Sequence, residues 1–388
     1  MVGRGSSARS SVDPFRVMQV LAAASARRAT GAATYDLTAG QPSSPAPSAA
    51  RALVHESLET QVLGYTPTPG IPALREGIAA LYLDRYGLTV DPAAVFVTTG
   101  SSSGFILSFL AAFDVGDVVA VASPGYPAYR NTLQALGCEV LDLPCGPETR
   151  YQPTVAMLEQ RLADGHRIDG LIIASPANPT GSMLAPDEVA ALTAFCAARG
   201  IRLISDEIYH GITYGTRRQS CAWTTDRSGI VVNSFSKYFS MTGWRIGWLL
   251  VPEDLRTAVE ALSGNLSICP PAISQIAALG ALDAIAECDA HVQRYAANRR
   301  ILIDGLASVG ITDVAPPDGA FYVYADVSHL TDDSAVWVSH LLADTGVAIA
   351  PGIDFDVRRG HRFVRFSFAG SDMDVAAAPA VVGEYLTR

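Results

Sequence analysis

Residues 229–245 read GIVVNSFSKYFSMTGWR: an apolar run, then a lysine at position 237 among hydroxyls and aromatics, then an arginine eight positions on. A short β-branched run of this kind has the sequence form of a strand buried on both faces. Lys237 is therefore expected just past the carboxyl end of a strand. There a lone ammonium group is either a loop lysine in water or a group placed for chemistry. The same form recurs in AVFVTTG (94–100), DVVAVASP (117–124), GLIIASP (170–176), IRLISDEIY (201–209) and IGWLLVP (246–252). Helical patterns such as SSGFILSFLAAF, YPAYRNTLQAL and APDEVAALTAFCAARG fall between these runs. Strands alternating with helices predict an α/β fold around a parallel sheet. The helix predicted over 185–200 carries Asp187 and Glu188 in its first turn and Gly200 at its end. Those positions agree with the helix dipole and a left-handed C-cap.

From about Ser274 to Leu306 the pattern is helical, after which APPDGAFYVYADV and HRFVRFSFA alternate as half-exposed strands would. This predicts a second, smaller α+β layer. Near the start, the helical patch PFRVMQVLAAASARRA precedes LTAGQPSSPAP, which is too rich in Pro and Ser for regular structure. The expected division is a disordered segment at 1–12, an arm at 13–46 packing with the small domain, a large domain at 47–285 and a small domain at 286–388.

The 388 residues are 49% hydrophobic and 17% charged, the composition of a well-buried globular chain. A formal charge of −10 with no block of Lys and Arg argues against nucleic acid or an anionic membrane as partner. No apolar stretch reaches the ~18 residues of a membrane span. Six scattered cysteines without a C-x-x-C pair, and no signal-peptide pattern, predict reduced thiols in a cytoplasm. The seven histidines form no H-x-H or H-E-x-x-H set, so no metal site is expected.

In open α/β sheets functional groups gather at the carboxyl ends of strands. That rim carries TTGSSSG, SPGYPAY, SPANPTG, SDEIY and SFSK: hydroxyls, an amide, a carboxylate, phenols and one lysine. A desolvated lysine can form a Schiff base with an aldehyde cofactor, and a carboxylate can keep a pyridine nitrogen protonated. Backbone donors at a helix start can hold a phosphate. Together these are the demands of pyridoxal phosphate.

In GQP (40–42), GYTPTPGIPALR (64–75), SPANPTG (175–181), SDEIYHG (205–211), SFSKYFSMTGWRIG (234–247) and VRFSFA (364–369), the chain resembles the class I/II aminotransferases of fold type I. The similarity runs from about Leu37 to the C-terminus. It implies a large domain with a mostly parallel seven-stranded sheet flanked by helices, and a smaller α+β domain built from both chain ends. It implies that Lys237 is the Schiff-base lysine and proton shuttle and that Asp206 pairs with the pyridine nitrogen. Asn178 and Tyr209 would hydrogen-bond the cofactor's phenolic oxygen, and Tyr126 would stack on its ring. Ser101, Ser102, Ser234 and Arg245 would serve the phosphate, joined by Tyr65 from the neighbouring subunit of a homodimer. Arg365 would fork onto the substrate α-carboxylate, in a pocket lined by Gly40 and Asn178.

Each residue also has a plainer reading. Asn178-Pro179-Thr180-Gly181 makes a turn in any protein, and a Ser pair before a helix is an N-cap. Tyrosines fill cores, and His210 beside Tyr209 reads as packing. Gly100 to Gly104 also fits G-x-S-x-G, with Ser102 as the nucleophile of an α/β-hydrolase and His361 as its base. That reading leaves Lys237, Asp206 and Asn178 unexplained. A regulator built on an aminotransferase body needs a basic DNA-binding module, for which the first 40 residues leave no room.

The resemblance thus implies a ping-pong amino transfer between an L-amino acid and a 2-oxo acid. A pyridoxal-phosphate lyase or cyclase is the alternative on the same fold. Aspartate-preferring members of the subgroup carry a basic residue in the Gly-rich turn, where this chain has Ser102. A neutral or aliphatic donor such as valine or alanine is expected, unless Arg16, Arg27 or Arg217 supplies the missing cation.

Overall fold

The computed structural model describes residues 5–388. Of the segment expected to be disordered, residues 1–4 lie outside the described residues. Residues 5–12 are exposed and hold one 3-10 turn, Ala8–Ser10.

The strands in chain order are β1 (Tyr35–Asp36), β2 (Val95–Thr98), β3 (Val118–Ser123), β4 (Glu139–Pro144), β5 (Gly170–Ala174) and β6 (Arg202–Asp206). They continue with β7 (Ile230–Ser234), β8 (Gly247–Leu250), β9 (Tyr322–Asp326), β10 (Val347–Ala348), β11 (Ala350–Pro351) and β12 (Phe363–Ser367). Seven of them form one sheet in the order β2-β8-β7-β6-β5-β3-β4. Only β8 runs antiparallel to its neighbours, so the expected mostly parallel sheet is observed.

The central strands read as continuous apolar runs because successive side chains enter two different cores. Leu203 and Val231 pack into one cluster, whereas Ile204, Ile230 and Val232 pack into the other. Each such burial contributes about 1.5–3 kcal/mol. A one-residue slip would exchange the two faces wholesale, so the register is fixed. That register sets Asp206 beside Ala174 and Val232, and places the β5, β6 and β7 exits next to one another. The predicted helix at 185–200 is observed as Pro186–Arg199, ending at Gly200 in the left-handed region.

A second sheet, β11-β12-β9, is antiparallel and sets Arg365 opposite both Tyr324 and Ala350. Its strands are not half-exposed as the alternation predicts. All of β9 and nearly all of β12 are buried, because helices such as Ile285–Ser308 and Ser334–Thr345 cover one face and the site region the other. The polar members of the alternating pattern, Arg365 and Ser367, are turned inward. The start of the chain joins this layer. After the arm helix Arg16–Ala29, β1 pairs in parallel with β10, Leu37 N–H donates to Ala348, and Leu37 accepts from Ser367 N–H.

Candidate active site

The exits of β2, β5, β6 and β7, the strand β12 and the arm line one open cavity of about 200 Å³. Its walls include Gly40, Ser101, Ser102, Tyr126, Asn178, Asp206, Tyr209, Lys237, Arg245 and Arg365. Ten of the twelve residues singled out from sequence thus meet around one space.

Lys237 follows β7 in a tight turn, and its Nζ donates to the Gly40 carbonyl at 2.6 Å. Burial lowers its pKa to about 8, helped by the charges of Arg365 and Arg245 and opposed by Asp206. Gly40 has no room for a side chain, since a Cβ there would lie 1.7 Å from Tyr322 Oη.

Asp206 ends β6 with 3% exposure. Its Oδ1 accepts from Ile208 N–H at 3.1 Å, and its Oδ2 accepts from the buried hydroxyl of Tyr129. Burial raises its pKa to about 6, against the pull of those two donors and of Lys237. Removing the phenol as Tyr129→Phe takes one donor from the charged form, so the Asp206 pKa rises further. Cofactor affinity is expected to fall roughly tenfold, the scale of one hydrogen bond to a charged group, with the loss largest on the acid side. Titrating apoenzyme with pyridoxal phosphate between pH 5 and 8 checks this; identical affinities for both proteins would refute it.

Arg365 is 2% exposed. Its Nη1 donates to Asn178 Oδ1 at 2.7 Å and its Nη2 to the Thr38 carbonyl at 2.6 Å, while Nε has no partner. The guanidinium lies 4.3 Å from the Tyr322 ring centroid and 4.7 Å from that of Phe355. Among the described residues no carboxylate pairs with it. A buried cation without an anion is costly unless a ligand supplies one. Because Asn178 gives its oxygen to Arg365, it has an NH2 group left for a ligand. Tyr209 and Tyr322 share a 2.7 Å contact between hydroxyls, and burial holds both phenols protonated.

At the far end, the helix Gly100–Ala112 begins without a side-chain cap. Gly100 has φ +72°, and a Cβ there would come within 2.6 Å of Arg245 Nη2. Uncapped N–H groups, two serines and a guanidinium make an anion cradle. The donor set therefore fits pyridoxal phosphate on three counts, the cradle for phosphate, Asp206 for a pyridine nitrogen and Lys237 for an aldehyde, and leaves Arg365 free for a carboxylate.

Two expected residues stand off the walls. Ser234 is buried, with its hydroxyl on Ser236 Oγ and the Ile246 carbonyl, because β7 is still paired with β8 at that point. Ser236 lines the cavity instead. Tyr65 is 85% exposed and outside the cavity of its own chain. His210 is buried packing, bonded to Tyr86 Oη and the Ser175 carbonyl. The hydrolase alternative lacks its base: no histidine lines the cavity and His361 is exposed. Arg27 and Arg217 are engaged elsewhere, on the Ala33 and Ala343 carbonyls and on Met183 and Glu188. Arg16 is also absent from the walls.

Sequence reasoning missed Tyr129, Tyr322, Ser236, Thr242 and the arm residues Phe15, Val17 and Met18. Tyr129 had a signal, lying three residues after Tyr126 and so on the same helical face. Nothing local marked Tyr322 or the arm.

The chain matches the family model for aminotransferase class I and II over residues 32–379. It is 56% identical, over 97% of both chains, to a valine–pyruvate aminotransferase of Mycobacterium tuberculosis. Identity to an aspartate/prephenate aminotransferase of Thermus thermophilus is 32%, again over 97% of both. A crystal structure of an aminotransferase from M. tuberculosis superposes with a TM-score of 0.97 at 55% identity, covering 99% of this chain and all of that one. With the cavity and these relatives in agreement, the chain belongs to the class I and II aminotransferases, enzymes that depend on pyridoxal phosphate.

Proposed function

We propose that the enzyme moves the amino group of an aliphatic L-amino acid, valine or alanine, to a small 2-oxo acid such as pyruvate by a ping-pong route. The observation that carries this is Arg365, a buried guanidinium with no protein anion, across one cavity from Lys237 and Asp206. Arg365 binds and orients the substrate carboxylate, so that the Cα hydrogen faces Lys237 Nζ. Lys237 Nζ would take that proton from Cα and give it up within the same half-reaction at the aldehyde carbon of the cofactor, and the half-reaction with the oxo acid would run the same transfer in reverse. Pyridoxal phosphate, when bound, supplies the electron sink for the pair left on Cα. Asp206, held by Tyr129 and Ile208, keeps the charge that matches a protonated pyridine. Asn178 and Tyr209 offer donors beside it, Tyr126 covers one face, and Ser101, Ser102 and Arg245 hold the phosphate.

The aliphatic assignment rests on the walls. Among the described residues no cation beyond Lys237, Arg245 and Arg365 lines the cavity, and the arm contributes Phe15, Val17 and Met18. The mycobacterial relative bears the name of a valine–pyruvate enzyme.

Residues 47–285 would form the cofactor-holding domain, and 13–46 with 286–388 the second. A homodimer is supported by the exposed apolar Leu58, Val62, Leu63, Tyr65, Leu266 and Ile268, on segments joined where Thr66 N–H meets Cys269 Sγ. In such a dimer Tyr65 would reach the partner's phosphate cradle. Six unpaired cysteines support a reducing cytoplasm, and among the described residues no helix is long and apolar enough to cross a membrane.

The deciding experiment adds single amino acids to the loaded enzyme and follows the cofactor's visible band together with the products. The band should be lost with valine or alanine, 2-oxo acid should appear without ammonia, and pyruvate should restore it. Release of ammonia would instead assign a lyase.

A further inference from the structure

The arm helix Arg16–Ala29 starts without a cap of its own, since its N-cap residue is Phe15. Its first N–H groups are nevertheless satisfied. Arg16 N–H donates to Asp354 Oδ1 at 3.2 Å and Val17 N–H to Asp354 Oδ2 at 2.8 Å, across some 338 positions of chain. Asp354 closes a 3-10 turn, Gly352–Asp354, directly after β11, the strand that sets Ala350 against Arg365. Among the described residues it forms no ion pair and no other side-chain hydrogen bond, so its two oxygens serve the arm alone. The first turn held in this way carries Phe15, edge-on to Tyr126 at 6.1 Å, and Val17, packed with Phe355 and Tyr324. Both line the cavity.

The rest of the arm is anchored independently. Ala24 packs with Leu342 and Ala348, and Arg27 holds the Ala33 and Ala343 carbonyls. Loss of the Asp354 contacts would therefore free the first turn without unfolding the chain. A carboxylate cap is also favoured by the helix dipole at this end.

We propose that Asp354 is a positioning residue for substrate selectivity: it caps the arm helix from the opposite end of the chain and so holds Phe15 and Val17 as the wall that favours a branched donor over alanine. This rests on the aliphatic reading given above. Alanine reaches Arg365 and Lys237 without touching that wall, whereas the two extra methyl groups of valine need it.

The test compares kcat/KM for valine and for alanine, with 2-oxobutyrate as common acceptor, in the wild type, Asp354→Ala, Asp354→Asn and Val17→Ala. Each methyl contact bears on discrimination by roughly tenfold or more, so the valine-to-alanine ratio should fall by at least about tenfold in Asp354→Ala, where the wall is loosened. Alanine kcat/KM should stay within about twofold. Asp354→Asn keeps one acceptor oxygen and should fall between. Tryptic cleavage after Arg16 reports the docking of the turn without any substrate, and should speed up in Asp354→Ala. A fall shared equally by both donors would make Asp354 merely structural and overturn the proposal. A ratio moved by Val17→Ala but not by Asp354→Ala would also overturn it, while leaving the wall intact as a reading. Faster cleavage with a ratio that neither variant moves would overturn it through failure of the aliphatic reading.

Discussion

Lys237→Ala is expected to lose turnover with every donor, lowering kcat by about four orders of magnitude, while the protein still takes up pyridoxal phosphate. Among the described residues no other base on the walls is placed to take over the proton. No histidine lines it, and the phenols of Tyr209 and Tyr322 are held protonated by burial. Asp206 is occupied by Tyr129 and Ile208. The guanidinium groups of Arg245 and Arg365 are donors only and carry no acceptor for a proton. Lys237, in contrast, has a pKa lowered to about 8, so a usable share of free amine exists near neutrality. The cradle proposed for the phosphate does not involve Lys237, and binding should therefore survive in part. Rapid-quench measurement of a single half-reaction checks the result, and residual kcat above about a hundredth of wild type would remove Lys237 from the assigned role.

Arg365→Ala is expected to lower kcat/KM for amino acids by about two to three orders of magnitude, the scale of truncating one side of a buried charge pair. Arg365→Lys should recover only part of this, because an ammonium lacks the planar fork that meets Asn178, the Thr38 carbonyl and a carboxylate together. A simple primary amine with no carboxylate should react equally poorly with wild type and variant; selective loss with that amine would show general damage instead. The variant also carries a pH signature. After burial, the charge of Arg365 is the largest influence lowering the Lys237 pKa. Its removal raises that pKa, the amine stays protonated to higher pH, and the rising limb of activity moves alkaline. An acid-going shift would contradict the electrostatic account.

The large sheet was legible because its strands are buried on both faces, and such strands announce themselves as unbroken apolar runs ending at Thr98, Ala174, Asp206 and Ser234. The residues at those exits came with them. The smaller layer was half legible: its strands were found, but the inward turn of Arg365 and Ser367 makes an alternating pattern look half-solvated. Ser234 and Ser236 could not be told apart by pattern alone: the Ser234 hydroxyl stays with Ser236 Oγ and the Ile246 carbonyl, while Ser236 reaches the wall. The arm was least legible. Phe15 and Val17 lie in a stretch that reads simply as helix, and their neighbours Tyr126 and Phe355 and the cap Asp354 all stand more than 100 positions away.

The bond from Arg365 to the Thr38 carbonyl spans 327 positions, and β1 waits for β10 before it can pair. On a ribosome, the sheet bearing Lys237 and Asp206 leaves the tunnel well before residues 347–367 exist. The Arg365 side of the cavity therefore depends on residues made late, whereas β5, β6 and β7 come from the middle of the chain. The carboxylate site proposed for Arg365 would thus be among the last parts of the molecule to be completed.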